Sequence, residues 1–302
     1  MLCILYVNAV GFLLGLIGTQ VERLLPATIA RRWLWCAILL LSVSLPGYYR
    51  FHHNFAIAGS SDAAMVVFGA DVDALIGRAW QAASAVLGLW MLVNAGWVAH
   101  IMRTSRQRRL AIAAVDDVPV VITDTLGPAS VGVWRARVVL PRWVLALPDA
   151  QRRYIVRHED EHRRSHDSMV LSLASLSLIL LPWNAALWWQ LRRLSLAIEM
   201  DCDRRVVSSL GDAHAYGKLL LTVAQASTRG TGPRLQAALV GRAGMLERRL
   251  TALLAPAPLR LAQRLLLPVS AIALLVLVLT MPHPVLSSHA HADTRTIQTG
   301  HR

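Results

Sequence analysis

Four apolar runs without a charged residue decide what this chain can fold into: residues 2–18, 33–48, 79–102 and 265–281. Each approaches or exceeds the ~20 residues that a helix needs to cross a bilayer. The composition agrees, with 55% apolar residues, 16% charged residues and a mean hydropathy of +0.46. That balance excludes an ordinary water-soluble domain. The formal net charge of +13 would suit nucleic acid if the arginines formed one stripe on a folded surface. They cluster instead beside the apolar runs, where cytoplasmic loops of membrane proteins carry them. No helix-turn-helix or finger spacing is present, so the expected partner is the lipid bilayer and direct nucleic-acid binding is not expected.

Charge also orients the runs. Arg23, Arg31 and Arg32 follow the first run against a single Glu22, Arg103, Arg106, Arg108 and Arg109 follow the third, and Arg248, Arg249, Arg260 and Arg264 precede the fourth. The loop over 49–79 carries Asp62, Asp71 and Asp73 with only Arg50 and Arg78. Positive-inside bias places the first loop and residues 103–264 in the cytoplasm, and both termini and the 49–79 loop outside. The expected organisation is a membrane region of three helices over 1–102, a cytoplasmic domain over 103–264, a last membrane helix over 265–281 and an outward-facing tail over 282–302. With no basic residue before Arg23, the first run reads as a retained helix rather than a cleaved signal peptide. Cys3, Cys36 and Cys202 are too few for a disulfide framework.

Within the cytoplasmic segment, residues 118–123 and 131–140 are rich in β-branched side chains and flank Gly127-Pro128, which predicts a hairpin or small sheet. Asp149 after Pro148 is the expected N-cap of a helix running to about His166. The apolar run 168–181 stops at Pro182, a further helix is expected over 191–207, and residues 230–233 mark a loop before an amphipathic helix with Leu246, Leu250 and Leu253. The fold class is therefore a mainly α membrane protein of about four transmembrane helices, with an α+β domain inserted between the third and fourth.

That domain contains His158-Glu159-Asp160-Glu161-His162. Residues four apart on a helix lie one above the other, so His158 and His162 present two imidazoles to one metal ion. Glu159, one step round, can take a proton from water at that ion, the arrangement of a zinc metalloprotease. A catalytic zinc needs a third protein ligand. Of the five glutamates, Glu199 stands on the next predicted helix in Glu199-Met-Asp-Cys-Asp203, and His166 is the competing candidate. Asp203, one turn beyond Glu199, can accept the free N–H of a ligating histidine. Asp201 is expected to face solvent and Cys202 to be a packed thiol. If 168–181 crossed the bilayer once, His162 and Glu199 would lie on opposite sides, so it must be a core helix or half of a hairpin returning to the same face.

These residues together resemble the BlaR/MecR membrane metallopeptidases, whose gluzincin-type site joins a His-Glu-x-x-His helix to a later Glu and Asp. The resemblance spans roughly residues 1–281. It includes Gly132, Val138-Val-Leu-Pro141, Arg157-His-Glu-Asp-Glu-His162, Asp167, Pro182-Trp-Asn184, Glu199-Met-Asp-Cys-Asp203 and Tyr216 before Leu219-Leu220. It implies that His158, His162 and Glu199 bind Zn2+, that Glu159 is the general base, and that Asp167 and Asp203 support the site. It further implies a multi-pass protein of a bacterial-type inner membrane with its catalytic domain in the cytoplasm. The substrate would be a cytoplasmic transcriptional repressor of the BlaI/MecI type, and the assembly leaves room for a homodimer. The alternatives are a membrane quality-control protease with broad substrates and a non-hydrolytic, metal-containing signalling protein.

This chain departs from the pattern at Ala185, where a proline would follow the Trp-Asn pair, and after residue 281, where about 20 residues stand in place of a penicillin-binding sensor. With Lys218 as the only lysine, the chain is expected not to sense a β-lactam through a Ser-x-x-Lys nucleophile. Tyr216 and His214 are candidate oxyanion stabilisers that no spacing places in the site.

Overall fold

The first, third and fourth apolar runs become α1 (Leu2–Leu24), α3 (Ala70–Gln107) and α10 (Leu261–Thr280). Each contains a stretch long and apolar enough to cross a membrane, namely Ile4–Leu24, Ala74–Trp97 and Ala262–Thr280. The computed structural model describes residues 2–26, 29–56, 70–107, 112–123, 128–228, 236–254 and 261–281. The expected tail over 282–302 and the loop at 230–233 lie outside these residues. The second run falls within α2 (Arg31–Ala56), which does not reach the same apolarity because two arginines open it and Pro46, Arg50 and two histidines occupy its second half.

Polar ties between these helices show how they lie. Trp35 Nε1 of α2 donates to Glu22 at the end of α1, 3.2 Å away. Further along, Gln190 Nε2 of α7 (Ala185–Leu210) donates to the Gly11 carbonyl and the Ser42 hydroxyl, at 2.7 and 2.9 Å. From 22/35 to 11/42, α2 thus runs antiparallel to α1. Ser270 Oγ donates to Gln20 Oε1 at 2.7 Å, and Val278 shares a core with Val10, so α10 is antiparallel to α1 as well.

The apolar run at 168–181 is α6 (Asp167–Leu180), and it forms a hairpin with α7 through Leu181-Pro-Trp-Asn184. Asn184 caps α7 by accepting the Leu187 N–H, as a short polar side chain at an N-cap should. Ala185 keeps the N–H that a proline would lack, and Asn8 of α1 accepts it at 3.0 Å. Trp80 of α3 donates to the Leu180 carbonyl at the same end of the hairpin. One core therefore joins Val10, Leu14, Trp35, Ile38 and Leu39 to Leu187, Leu194 and Ile198 of α7. Close approach demands glycine on α1: a Cβ at Gly15 would sit 2.2 Å from the Trp189 ring, and one at Gly11 2.9 Å from Ala186 Cβ.

The β-rich segment forms a four-stranded mixed sheet in the order β1-β2-β4-β3, not a simple hairpin. β1 (Ile112–Val115) and β2 (Val118–Thr123) turn over Asp116 and Asp117, both with positive φ (51° and 65°), as a two-residue turn matching strand twist requires. β2 then pairs in parallel with β4 (Arg137–Pro141), whose other edge takes the short antiparallel β3 (Ala129–Val131). After a single helical turn, α4 (Arg142–Leu145), comes α5 (Asp149–Arg164). Pro148, not Asp149, occupies its N-cap position and makes no side-chain cap bond; Asp149 is the first helical residue and pairs with Arg152 at 2.9 Å. An acidic first turn serves the helix dipole from inside rather than from the cap. A second core packs Val120, Val138, Leu140 and Val144 against Tyr154 and Ile155 of α5, Cys202 and Val206 of α7 and Tyr216 of α8 (Ala213–Thr228). α9 (Gln236–Leu254) lies against α7 and α8. α7 belongs to both cores, its first half among α1 and α2 and its second half beside α5.

Candidate metal centre

Helical periodicity brings His158 and His162 of α5 together with their rings edge to face, centroids 4.6 Å apart. Their Nε2 atoms face each other at 3.2 Å. Glu199 comes across from α7, with one carboxylate oxygen 3.6 Å from Nε2 of His158 and the other 3.7 Å from Nε2 of His162. His166, the competing candidate, is elsewhere: it is exposed in the turn after α5 with φ at 55°, and that left-handed residue swings α6 back.

The far nitrogens of both rings are engaged. Asp167, in the first turn of α6, lies 2.8 Å from Nδ1 of His162 and is itself held by Arg32 of α2 at 2.8 Å. Asp203 is 3.6 Å from Nδ1 of His158, too far for a direct hydrogen bond. Tyr216 fills the gap, donating to Asp203 at 2.7 Å and standing 2.9 Å from His158 Nδ1. Because the Tyr216 proton is spent on Asp203, its oxygen is left to accept from His158. Asp203 therefore supports the site through Tyr216 and not by itself.

Arg249 of α9, which has no signature in the sequence, closes the cluster. It makes a forked pair to Asp203, Nε and Nη2 both at 2.7 Å, and its Nη1 lies 2.9 Å from Glu199. The two further acids of the motif are structural. Asp160 is fully buried between Arg163 and Arg164, and Glu161 is held by Arg157 and Arg205. Asp201 is buried as well, contrary to the solvent-facing expectation. One of its oxygens accepts the Arg32 N–H in the first turn of α2, and the other pairs with Arg204. A carboxylate at the exposed amides of a helix start is well placed.

The electrostatics favour a positive charge between these groups. Burial works against a charged His162, but the hydrogen bond to Asp167 and the neighbouring Cys202 raise it to about 10. His158 is likewise raised against the effect of burial, by Cys202, Glu199 and Glu159. Burial would raise Glu199, yet hydrogen bonding to His158 and the Arg249 cation hold it well below the carboxylate range. Glu159 is different: burial pushes its carboxyl up, only partly offset by the two histidines. Cys202 Sγ lies 3.3 Å from His158 Nδ1 and could join both histidines around an ion, all three donor atoms lying within 4.8 Å of one another. Its expected role as a packed thiol is met in that it is fully buried. His214 is exposed on α8, whereas Tyr216 is part of the site.

No curated protein matches the chain. A family model described as BlaR1 peptidase M56 matches residues 67–253, more than half of the chain, including every residue of the cluster except Arg32. The chain therefore belongs to the BlaR1 peptidase family M56, whose membership implies a membrane-associated metallopeptidase.

Proposed function

We propose that this protein is a zinc metalloendopeptidase in which His158, His162 and Glu199 hold the ion and Glu159 is the general base. The observation that carries this reading is the pair of Nε2 atoms 3.2 Å apart. With bonds of ~2.0–2.1 Å, a tetrahedral zinc ion sets its ligand atoms about 3.3 Å from one another. The imidazole pair has this spacing, and the Glu199 oxygens at 3.6 and 3.7 Å need only a small side-chain movement to share it. With both Nδ1 atoms donating to Asp167 and Tyr216, the two Nε2 lone pairs point at one another, an arrangement that calls for a cation between them. Cys202 is the weaker candidate ligand, because it approaches His158 from the Nδ1 side that Tyr216 already occupies.

A bound zinc ion would polarise the scissile carbonyl and make a neighbouring water acidic enough to ionise near neutral pH. Glu159 receives the proton of that water and returns it to the leaving amine. Its burial, which holds the carboxyl above the usual range, makes it the stronger base for the first of these transfers. An extended substrate adds to the sheet at β3, the edge strand beside α5. The family resemblance supports a cytoplasmic transcriptional repressor of the BlaI/MecI type as that substrate. α2 is the fourth membrane helix in this reading, which its antiparallel course beside α1 supports, and the arginines at 23, 31, 32, 192 and 193 support a metal centre at the cytoplasmic face.

The test is Glu159→Gln. It should keep full zinc and the native fold while cleavage falls by roughly 10²–10⁴-fold. Comparing the proteomes of cells carrying the native and the substituted chain then identifies the substrate. Substantial proteolysis by the purified variant would remove Glu159 from the base role.

A further inference from the structure

Away from the metal ligands, α7 and α9 meet the C-terminal end of α1 and the N-terminal end of α2 around a cavity of about 910 Å³. Six arginines line it: Arg23, Arg31, Arg193, Arg204, Arg248 and Arg249. Most of the carboxylates at its wall are already committed. Glu22 is taken by Arg193 and by Trp35, and Asp203 accepts the fork of Arg249. Arg204 is paired with Asp201. Among the described residues, Arg23, Arg31 and Arg248 have no carboxylate within ion-pair distance, and Glu247 is the only acid of the wall outside these pairs. The Nε atoms of Arg31 and Arg193 are buried without a hydrogen-bond partner. Arg204 is pushed below its ordinary range by burial and by the Arg31 and Arg205 cations, although Asp201 opposes this.

Three arginines from three elements that face one space repel each other unless an anion lies between them. A guanidinium fork fits phosphate oxygens in pairs, which suits a phosphoryl group better than a point anion. Leu196, Met200, Val207 and Leu253 supply the apolar part of the wall, beside the hydroxyl residues Ser208 and Thr251. The ends of α1 and α2, with Arg23 and Arg31, form one wall of the cavity, at the depth where lipid headgroups lie if α1 crosses the bilayer.

We infer that this cavity binds a phosphate-bearing anion, either a phospholipid headgroup or free phosphate, between Arg23, Arg31 and Arg248. The anion ties α9 to α1 and α2. Because α9 carries Arg249, the occupant also steadies the residue that holds Glu199 and Asp203. The site does not depend on the chain being a protease.

The test uses the full chain in nanodiscs of phosphatidylcholine with graded phosphatidylglycerol, and in detergent with inorganic phosphate, with retained ligand read by native mass spectrometry. The native chain should retain phosphatidylglycerol in preference to phosphatidylcholine. The double variant Arg31→Gln/Arg248→Gln should weaken retention about tenfold or more. Arg153→Gln, an exposed arginine of α5, should leave it unchanged. If inorganic phosphate binds with the same dependence on Arg31 and Arg248 and phosphatidylglycerol does not, the source is free phosphate and the site stands. Arg248 is exposed, so its single variant keeps the test open should the Arg31 substitution disturb folding. Equal retention of both probes by the native chain and the double variant, or equal loss in Arg153→Gln, overturns the site.

Discussion

Arg249 is the residue whose role could least be foreseen, and it ties the most together. It lies 50 positions beyond Glu199, among many arginines, yet its guanidinium spans Glu199 and Asp203. No local pattern encodes such a contact, because it is made by α9 folding back over α7. The competing ligand sets separate cleanly by substitution. Glu199→Ala should reduce zinc well below one ion per chain, whereas Cys202→Ser should leave the stoichiometry near one. Metal analysis showing the reverse would move the third-ligand role to Cys202. Acidity should matter in a definite direction. In the metal-free protein His162 is raised from 6.5 to about 10, so it carries a proton throughout the neutral range. Its contribution to the stability of the metal-free fold is fully present below pH 6.5 and is lost as pH rises through about 10. Zinc must displace that proton, so the apparent Kd should tighten by about tenfold per pH unit between pH 6.5 and 9, or more if His158 gives up a proton too. Calorimetry in buffers of different ionisation enthalpy should show about one to two protons released per ion. No release would mean that the imidazoles are already neutral.

At the scale of elements, α5 was readable because its signal is local. Two histidines four apart, apolar Tyr154 and Ile155 on the sheet side and a glutamate one step from the first histidine all follow from the 3.6-residue period. Its start was not, because Pro148 and Asp149 both favour a helix N-terminus and only the backbone shows which takes the cap position. The sheet was legible in part: β2 appears with its expected limits, but its pairing with β4 rather than β3 on the side away from β1 depends on where the intervening chain passes. The α1–α7 contact gives a sharp test of packing. Gly15→Ala would place a methyl group 2.2 Å from the Trp189 ring and should destabilise the protein by roughly 1–3 kcal/mol. Gly47→Ala in α2 meets nothing within 4 Å and should be neutral or stabilising by up to about 1 kcal/mol, the ordinary helix preference for alanine. Thermal unfolding in detergent distinguishes the two, and equal midpoints would argue against the close helix crossing.

For the whole molecule the central question is the side on which the metal residues lie. The α6–α7 hairpin leaves from His162 and returns to Glu199, so both sit on one face although an apolar run separates them. Single cysteines at Arg163 and Arg192, in a background with the native cysteines replaced, should therefore react with a membrane-impermeant reagent from the same side. Labelling from opposite sides would rule out a shared ion.

The sequence by itself determined that the chain is a membrane protein, that two imidazoles share one helix face and that Glu159 stands next to the first of them. These are matters of composition and of short-range period, which need no knowledge of the rest of the fold. The tertiary structure alone decided that Tyr216 stands between His158 and Asp203, that Asp201 caps α2, and that Arg32 and Arg249 reach the centre from opposite ends of the chain. Those contacts join residues up to 169 positions apart, and what selects them is the requirement that charges buried between α2, α5, α7 and α9 find partners.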